Sequence, residues 1–482
     1  LTELAAPASP FASTFPTAFS DTPLAAPLDP PTALFDVPDR LTYTAEGDEV
    51  VQVRGAFGTR RLDVESIAKD QEPFAIRLTP CDQEIAPGVT FSARTIDLGR
   101  DRFTNSYELA VDTSRARLNV HSATNGFYLP DLVNGTEVRP SGHARDTAET
   151  MLAAVTGSFS FISDDADYEP AEFCLDFCAR DGMTVSLPTV AKPAFIVGRD
   201  GRVQLRELDA RGTLRIADRC YGWIGSKAPV RPADAGFLTV YGAANCRVEY
   251  TEAERVALLR GVNRAQNRTP AATDEVIDLV IALTDDTKRH VVTSVHHAGG
   301  ADLFEGAFVL RGTSDVIGDV RPGDEVEIIS IDDLEAAAIA SGFSIGPSAA
   351  AAARGEALDG YDESLGLSPF LPGARYARTL IALTDDVLRL RVFDGAPLAK
   401  GFQGVSCSET ARILEADGQD AETVHHLDGG QSAKLAFRRG PETAVLGSMH
   451  YLLWPKQDAG AFLWRGRHGR LLRSALTIAA LG

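Results

Sequence analysis

The chain has 482 residues, 44% of them apolar and 24% charged, with a formal net charge of −20 and a pI near 4.9. Such a balance suits a globular protein of two or three domains, or one large elaborated one. It excludes nucleic acid and anionic membrane surfaces as natural partners. No apolar run reaches the roughly 20 residues that span a bilayer.

Residues 1–40 are rich in Ala, Pro, Ser and Thr without periodicity and predict an extended or disordered leader. Residues 41–105 read as a small β-rich extension, with strands at Glu49–Val53 and Phe74–Leu78. Residues 106–482 read as the main domain. Ser106–Val120 predicts two strands joined by a polar turn. Arg145–Val155 places Ala148, Met151, Leu152 and Val155 on one helical face. A Gly-containing strand follows from Thr156 and Gly157. Asp200-Gly201 predicts a hairpin between Ala194–Val197 and Arg202–Arg206.

Further strands are expected at Phe237–Tyr241, Glu275–Leu283, His290–Val295 and Ala307–Leu310, then in the alternating segment after the Pro322-Gly323 turn. Asp332–Ala340 is Ala-rich and predicts a helix, and Ser348–Tyr361 a mobile loop. Tyr376–Leu383 and Arg389–Phe393 predict a hairpin closed near Asp385-Asp386. Ser408–Ala416 predicts a helix capped by Ser406 or Ser408. Ala421–Leu427 predicts a strand running into Asp428-Gly429-Gly430. The hexapeptide IALTDD recurs at 281–286 and 381–386, but its surroundings do not keep step, which points to coincidence or equivalent hairpins. The predicted class is α+β: a mixed, mainly antiparallel sheet core with packed helices.

The last third concentrates chemistry on strand ends and loops. Arg378 begins a strand, Asp394-Gly395 ends its partner, Ser406 and Glu409 open a helix, and Asp428 ends the next strand. Glu409 and Asp428 form a candidate carboxylate pair. Two carboxylates can act on an acetal when one stays protonated and the other ionised. Arg378 suits an anion such as phosphate, aided by the helix N-terminus at Ser406. The plain alternatives are a helix-stabilising Glu409, a surface ion pair for Arg378 and ordinary turns at the Asp-Gly sites.

His296, His297, His425 and His426 invite a metal reading, but neighbouring residues on a strand face opposite ways, so each pair supplies one ligand to a given site. None of the six Cys forms a CxxC pair, and Cys174 and Cys178 read as buried thiols rather than a bridge. Cys407 lies beside a helix N-terminus without a nearby His at a telling spacing. P-loop and GxGxxG patterns are absent. No cofactor is expected. The many acids leave room for a structural divalent cation such as Ca²⁺, though no EF-hand-like spacing is present.

Taken in order, the motifs resemble the phosphodiester glycosidase family. Ala153-Ala154-Val155-Thr156-Gly157-Ser158-Phe159 stands where that family has a strand ending in Asn-Gly-Gly-Phe-Phe. Gly306–Gly312, including Arg311, and Gly323-Asp324-Glu325-Val326 follow as its next strand and turn. Ala377-Arg378-Thr379-Leu380-Ile381-Ala382 is similar to Pro-Arg-Thr-Ala-Ile-Gly, Phe393-Asp394-Gly395-Ala396 to Val-Asp-Gly-Arg, and Gly404–Ala411 to Gly-Leu-Thr-x-x-Glu-Leu-Ala. His426-Leu427-Asp428-Gly429-Gly430-Gln431-Ser432-Ala433 is similar to Asn-Leu-Asp-Gly-Gly-Gly-Ser-Ser.

The resemblance implies hydrolysis of a sugar-1-phosphodiester, with a carbohydrate or sugar-1-phosphate conjugate as the partner molecule. It implies Asp428, Glu409 and Arg378 at the reacting centre. Thr156, Gly157, Arg311, Asp394, Ser406, His426, Gly429, Gly430 and Ser432 would line the substrate site. Thr156, Ala396, Gln431 and His426 depart from the family pattern, which keeps two rivals in view: a glycosidase acting on an ordinary glycoside, and a carbohydrate-binding protein on the same scaffold.

Overall fold

In a computed structural model, the described residues are 41–45, 50–55, 58–63, 75, 77–127, 129–134, 151–161, 173–174, 176–242, 269–284, 289–303, 307–356, 375–396, 401–439, 442–448, 461–464 and 472–481. The predicted leader lies outside them. So do Arg145–Thr150 of the expected helix and the later part of the expected loop after residue 356.

The protein is mainly β, with mostly antiparallel sheets and short helices. The mainly antiparallel sheet core is as expected, but the helices are too few and short for the expected α+β class, and the physical reason is visible in two segments. Met151–Thr156 is a strand, flanked in its sheet by Lys434–Arg439 and Leu472–Ala480. Ala153, Ala154 and Val155 are all fully buried, so packing on both faces overrides the helix preference of Ala and Met. Asp332–Ala340 likewise becomes a short strand, a 3₁₀ turn at Ala336–Ala338 and the start of strand Ile339–Ser344. In the other direction, the expected loop after Ser348 begins as a helix, Ala349–Arg354, because the Ser348 hydroxyl accepts from the Ala351 N–H at 3.1 Å.

Two sheets form a sandwich. One has six strands in the order His425–Leu427, Arg378–Thr384, Val387–Phe393, Arg102–Asp112, Val89–Gly99, Cys81–Ala86. The other has five: Glu442–Gly447, Lys434–Arg439, Met151–Thr156, Leu472–Ala480, Ala116–Phe127. Their inner faces share one core, in which Phe91 and Phe437 meet at 4.7 Å between ring centroids. The two strands expected within Ser106–Val120 exist, but they belong to opposite sheets. Residues 81–112 run continuously in the six-stranded sheet, so position 105 falls inside a strand that pairs with Val387–Phe393.

A second unit is a seven-stranded barrel closed by pairing of Arg211–Ile216 with Glu325–Ile331. The pair Arg219–Gly225 and Leu238–Tyr241 is parallel; its other pairings are antiparallel. A smaller sheet stands between barrel and sandwich. Along Lys192–Gly198, Phe195 and Val197 join the sandwich core while Ala194 and Ile196 join the barrel core, the period of two expected of a strand buried on both sides. The two IALT segments both lie in antiparallel hairpins, one in the barrel and one in the sandwich.

Helix Cys407–Ala416 covers the outer face of the six-stranded sheet. Leu380 and Ala382 pack there against Ala411, Ile413 and Leu414, whereas Ala377 and Ile381 face the sandwich interior. A cross-strand pair, Glu108 and Arg391, fixes the same outer face: Arg391 donates to Glu108 at 2.6 Å and to Asp417 beyond the helix end at 2.7 Å.

Candidate functional site

One end of the sandwich collects most of the residues singled out from sequence. Strand Arg378–Thr384 begins there, between the ends of Val387–Phe393 and His425–Leu427, with Arg378 opposite Phe393 and Thr379 opposite Leu427. The five-stranded sheet turns at the same end: Lys434 pairs with Gly447, and Leu435 with Val155.

The Asp428-Gly429-Gly430 turn crosses the start of the Arg378 strand. The Gly430 N–H donates to the Ala377 carbonyl at 2.7 Å. A side-chain carbon at Gly429 would lie 3.1 Å from that oxygen and 3.8 Å from the Arg378 Cα. Gly430 has φ of 59°, in the left-handed region that disfavours a side chain. The Asp428 carboxylate is partly exposed, accepts from the Gly429 N–H at 2.9 Å, and its own N–H donates to the Gly157 carbonyl.

Arg378 is 3% exposed, and its Nε donates to the Val405 carbonyl at 2.9 Å. It lies on the helix face, with Tyr376, Cys407 and His426 in its field. Burial, reinforced by the charges of Arg378 and His425, holds the His426 imidazole neutral, well below the usual range. Burial raises Tyr376 and Cys407, and Arg378 offsets part of that rise, so Cys407 is a buried thiol rather than an activated nucleophile.

Ser406 caps the helix, and Glu409 closes a reciprocal capping box: each backbone N–H donates to the other's side chain, at 2.9 and 3.1 Å. The Glu409 carboxylate also receives both terminal nitrogens of Arg102, at 2.8 and 3.1 Å, and lies 3.6 Å from Arg375 Nε. Burial alone would raise its pKa, but the Arg102 and Ser406 hydrogen bonds and the two arginine charges bring it below the ordinary value. This carboxylate is a fixed anion, fully coordinated by the protein.

Asp394 leaves the other side of the Arg378 strand. The two neighbouring strands put the backbones of Asp394 and Asp428 two strand spacings apart, about 10 Å. The Asp394 carboxyl accepts from the Gly395 N–H at 2.7 Å, yet burial pushes its pKa up to about 7. Tyr107, on the interior face, is raised by burial and then by the Asp394 charge.

Thr156 is 1% exposed, and its hydroxyl donates to the Ser432 carbonyl and accepts from the Lys434 N–H at 3.2 Å. It ties the strand Met151–Thr156 to the Asp428 turn. Gly157 sits against Ser474, where a side-chain carbon would meet the Ser474 Oγ at 2.7 Å and backbone carbon at 2.9 Å. The Ser432 hydroxyl is fully buried with no partner among the described residues.

Arg311 is elsewhere. It lies on barrel strand Ala307–Thr313, paired through Nε and Nη2 with the buried Asp278 at 2.6 and 2.9 Å, and stacked 4.9 Å over Tyr241. His296 and His297 also lie on the barrel, apart from His425 and His426 in the sandwich. Among the described residues no group of three or more His, Cys, Asp or Glu is arranged to hold a metal ion, and no helix is long and apolar enough to cross a membrane. Sequence reasoning missed Arg102 and Tyr107, whose strand lies far from the motifs along the chain, and Arg375, which stands just ahead of the Arg378 motif.

No family model matches the sequence, and no curated protein matches it. Several solved structures are distantly similar, three of them as follows. A hypothetical protein from Synechocystis has a TM-score of 0.47 at 14% identity, over 84% of this chain and 64% of that one; this chain thus spans less than two thirds of its length. A putative exported protein from Burkholderia pseudomallei has a TM-score of 0.42 at 17% identity, over 93% and 87%. The catalytic domain of zebrafish N-acetylglucosamine-1-phosphodiester alpha-N-acetylglucosaminidase, auto-inhibited by its pro-peptide, has 0.35 at 12%, over 87% and 94%.

Proposed function

We propose that the protein is a hydrolase that cleaves the bond between the anomeric carbon and the phosphate of a sugar-1-phosphodiester. The observation that carries this reading is the Asp428-Gly429-Gly430 turn folded over the start of the Arg378 strand, which brings the backbone of a partly exposed Asp428 to the strand end where the buried Arg378 begins. The order of motifs, which resembles that of phosphodiester glycosidases, supports the same chemistry.

Asp428 is the reacting carboxylate. Arg378 holds the phosphate, with its fork fixed by Val405. Water supplies the oxygen that joins the anomeric carbon, and the C–O bond to phosphate breaks to release a phosphomonoester. That leaving group is a weak base, so little acid assistance is needed. Asp394 supplies a carboxyl that burial pushes up to about 7, so that it is in part protonated at neutrality, and that hydrogen-bonds the sugar. Glu409 acts through Arg102 and Ser406 as a positioning residue, because a fully coordinated carboxylate of lowered pKa is a poor proton donor.

The test is sugar release from a panel of sugar-1-phosphodiesters and matched simple glycosides. Wild type should turn over the phosphodiesters, and Asp428→Asn should lose about 10²–10⁴-fold. Turnover of glycosides alone, or an active Asp428→Asn, overturns the reading. A carbohydrate-binding protein is the second reading, favoured by the internal use of the Thr156 hydroxyl and the Glu409 carboxylate; silence of wild type on every substrate, with sugar binding intact, supports it.

A further inference from the structure

The chain places a second guanidinium just ahead of the Arg378 strand, at Arg375. The segment between them is pinned twice. Tyr376 and Val405 exchange backbone N–H to carbonyl bonds at 3.1 and 2.9 Å, and the Ala377 carbonyl accepts from Gly430 in the Asp428 turn at 2.7 Å. Arg375 therefore stands at the same strand end as that turn. Its side chain is 40% exposed, whereas Arg378 is buried.

What sets Arg375 apart is its counter-ion, which is already taken. Glu409 Oε1 accepts from Arg102 at 2.8 Å, and Oε2 accepts from Arg102 at 3.1 Å and from the Ser406 N–H at 2.9 Å. Arg375 Nε stands 3.6 Å from Oε2, too far for a hydrogen bond. Among the described residues, Arg375 makes this one contact with an acid, and its donors are otherwise unused. Two guanidinium charges thus face one carboxylate, and the less engaged of the two is the exposed one. A pair this loose and this exposed adds little to stability. A planar fork of N–H donors with one charge in excess is instead suited to an incoming phosphate oxyanion.

We propose that Arg375 is a specificity-determining residue that binds a second phosphoryl group on the aglycone side, so that the preferred substrate is a sugar-1-diphosphate conjugate. The assignment rests on the reading of the chain as a hydrolase in which Arg378 holds the phosphate next to the anomeric carbon. Three residues of extended chain separate the two arginines, at most about 10 Å of backbone, a span that two long side chains converging on one diphosphate can close. The buried arginine takes the inner phosphoryl group and the exposed one takes the outer, with the rest of the aglycone toward solvent. The bond broken is unchanged: water adds its oxygen to the anomeric carbon, the C–O bond to the inner phosphate breaks, and free sugar and a diphosphate product are released.

Isothermal titration of the full chain with inorganic phosphate and with inorganic pyrophosphate tests it. Wild type should bind pyrophosphate the more tightly. Arg375→Ala should bind pyrophosphate about tenfold more weakly while its binding of phosphate changes little, and Arg375→Lys, which keeps the charge, should recover part of the loss. The thermal midpoint of Arg375→Ala should match wild type, because the lost pair is loose and exposed. Equal pyrophosphate binding by Arg375→Ala, an equal loss on both anions, or no preference for pyrophosphate in wild type overturns the assignment. Kinetics separate it from the reading on which it rests. Hydrolysis of a sugar-1-phosphodiester with no lower KM for the matched sugar-1-diphosphate removes the role of Arg375 and leaves the catalytic reading. Arg375-dependent pyrophosphate binding in a protein that hydrolyses neither substrate does the reverse.

Discussion

Replacing Glu409 with Gln separates a positioning carboxylate from a catalytic one. The carboxylate is 8% exposed as a side chain, is paired with Arg102 at 19%, and accepts the Ser406 N–H as well. Gln keeps one oxygen for Ser406 but removes the charge that both arginines face. Loss of a mostly buried, hydrogen-bonded charge pair costs about 2–3 kcal/mol. The folded pKa of Glu409 lies below its ordinary value, so its contribution is present above the unfolded value of about 4.3 and is lost as pH falls through the folded one. Urea unfolding at pH 7 should show the full loss in Glu409→Gln, and the gap to wild type should close under strongly acidic conditions. Activity per folded molecule should fall less than about tenfold, against about 10²–10⁴-fold for loss of a general acid or base. Unchanged stability with activity abolished would refute the reasoning and return Glu409 to the reacting centre.

Three further changes probe the same end of the sandwich. Arg378→Leu should abolish turnover of phosphate-bearing substrates while sparing any simple glycoside that the protein cleaves; equal loss on both, measured as kcat/KM, would remove phosphate recognition from Arg378. Gly157→Ala drives a methyl into the Ser474 backbone and should cost about 1–3 kcal/mol in chemical unfolding, with a fall in activity because the Gly157 carbonyl anchors the Asp428 N–H. Asp394→Asn should stabilise the protein at pH 8 and leave it unchanged at pH 3. A pKa raised to about 7 means that the folded state pays to ionise this group, a penalty absent below the unfolded value and complete above the folded one, at most about 4 kcal/mol. A gap between variant and wild type that does not grow from pH 4 to pH 8 would contradict it.

Much of the local structure was legible because short-range chemistry decides it. Asp200-Gly201 and Asp385-Asp386 close hairpins where expected, and Ser406 with Glu409 writes a helix start that the chain obeys. The helix expected over Arg145–Val155 failed at its described end for the opposite reason. Ala153 and Ala154 carry a helical preference of a few tenths of a kcal/mol, whereas burial between two neighbouring strands and on two faces is decided by residues more than 270 positions away. Arg311 was drawn into the site by a Gly-Ala-Phe-Val-Leu run that any buried strand can show. Its partner Asp278, from the adjacent barrel strand, is what fixes its place.

The placing of Arg378 and Thr379 on opposite faces of one sheet could not be read from a linear motif, yet it follows from the strand period. Arg378 and Thr379 are adjacent, so one must face the helix and the other the interior. A motif that reads Arg-Thr in sequence is thus divided in space: Arg378 lies on the side backed by the helix, where Glu409 is paired with Arg102 and Arg375, and Thr379 is buried on the interior face. On the proposed reading the scissile bond lies at the strand end, and Asp428 is the carboxylate the turn holds there. Close packing on either side holds that turn: side-chain carbons at Gly157 and Gly429 would meet Ser474 and the Ala377 carbonyl, while the Gly157 carbonyl accepts the Asp428 N–H and the Gly430 N–H donates to Ala377.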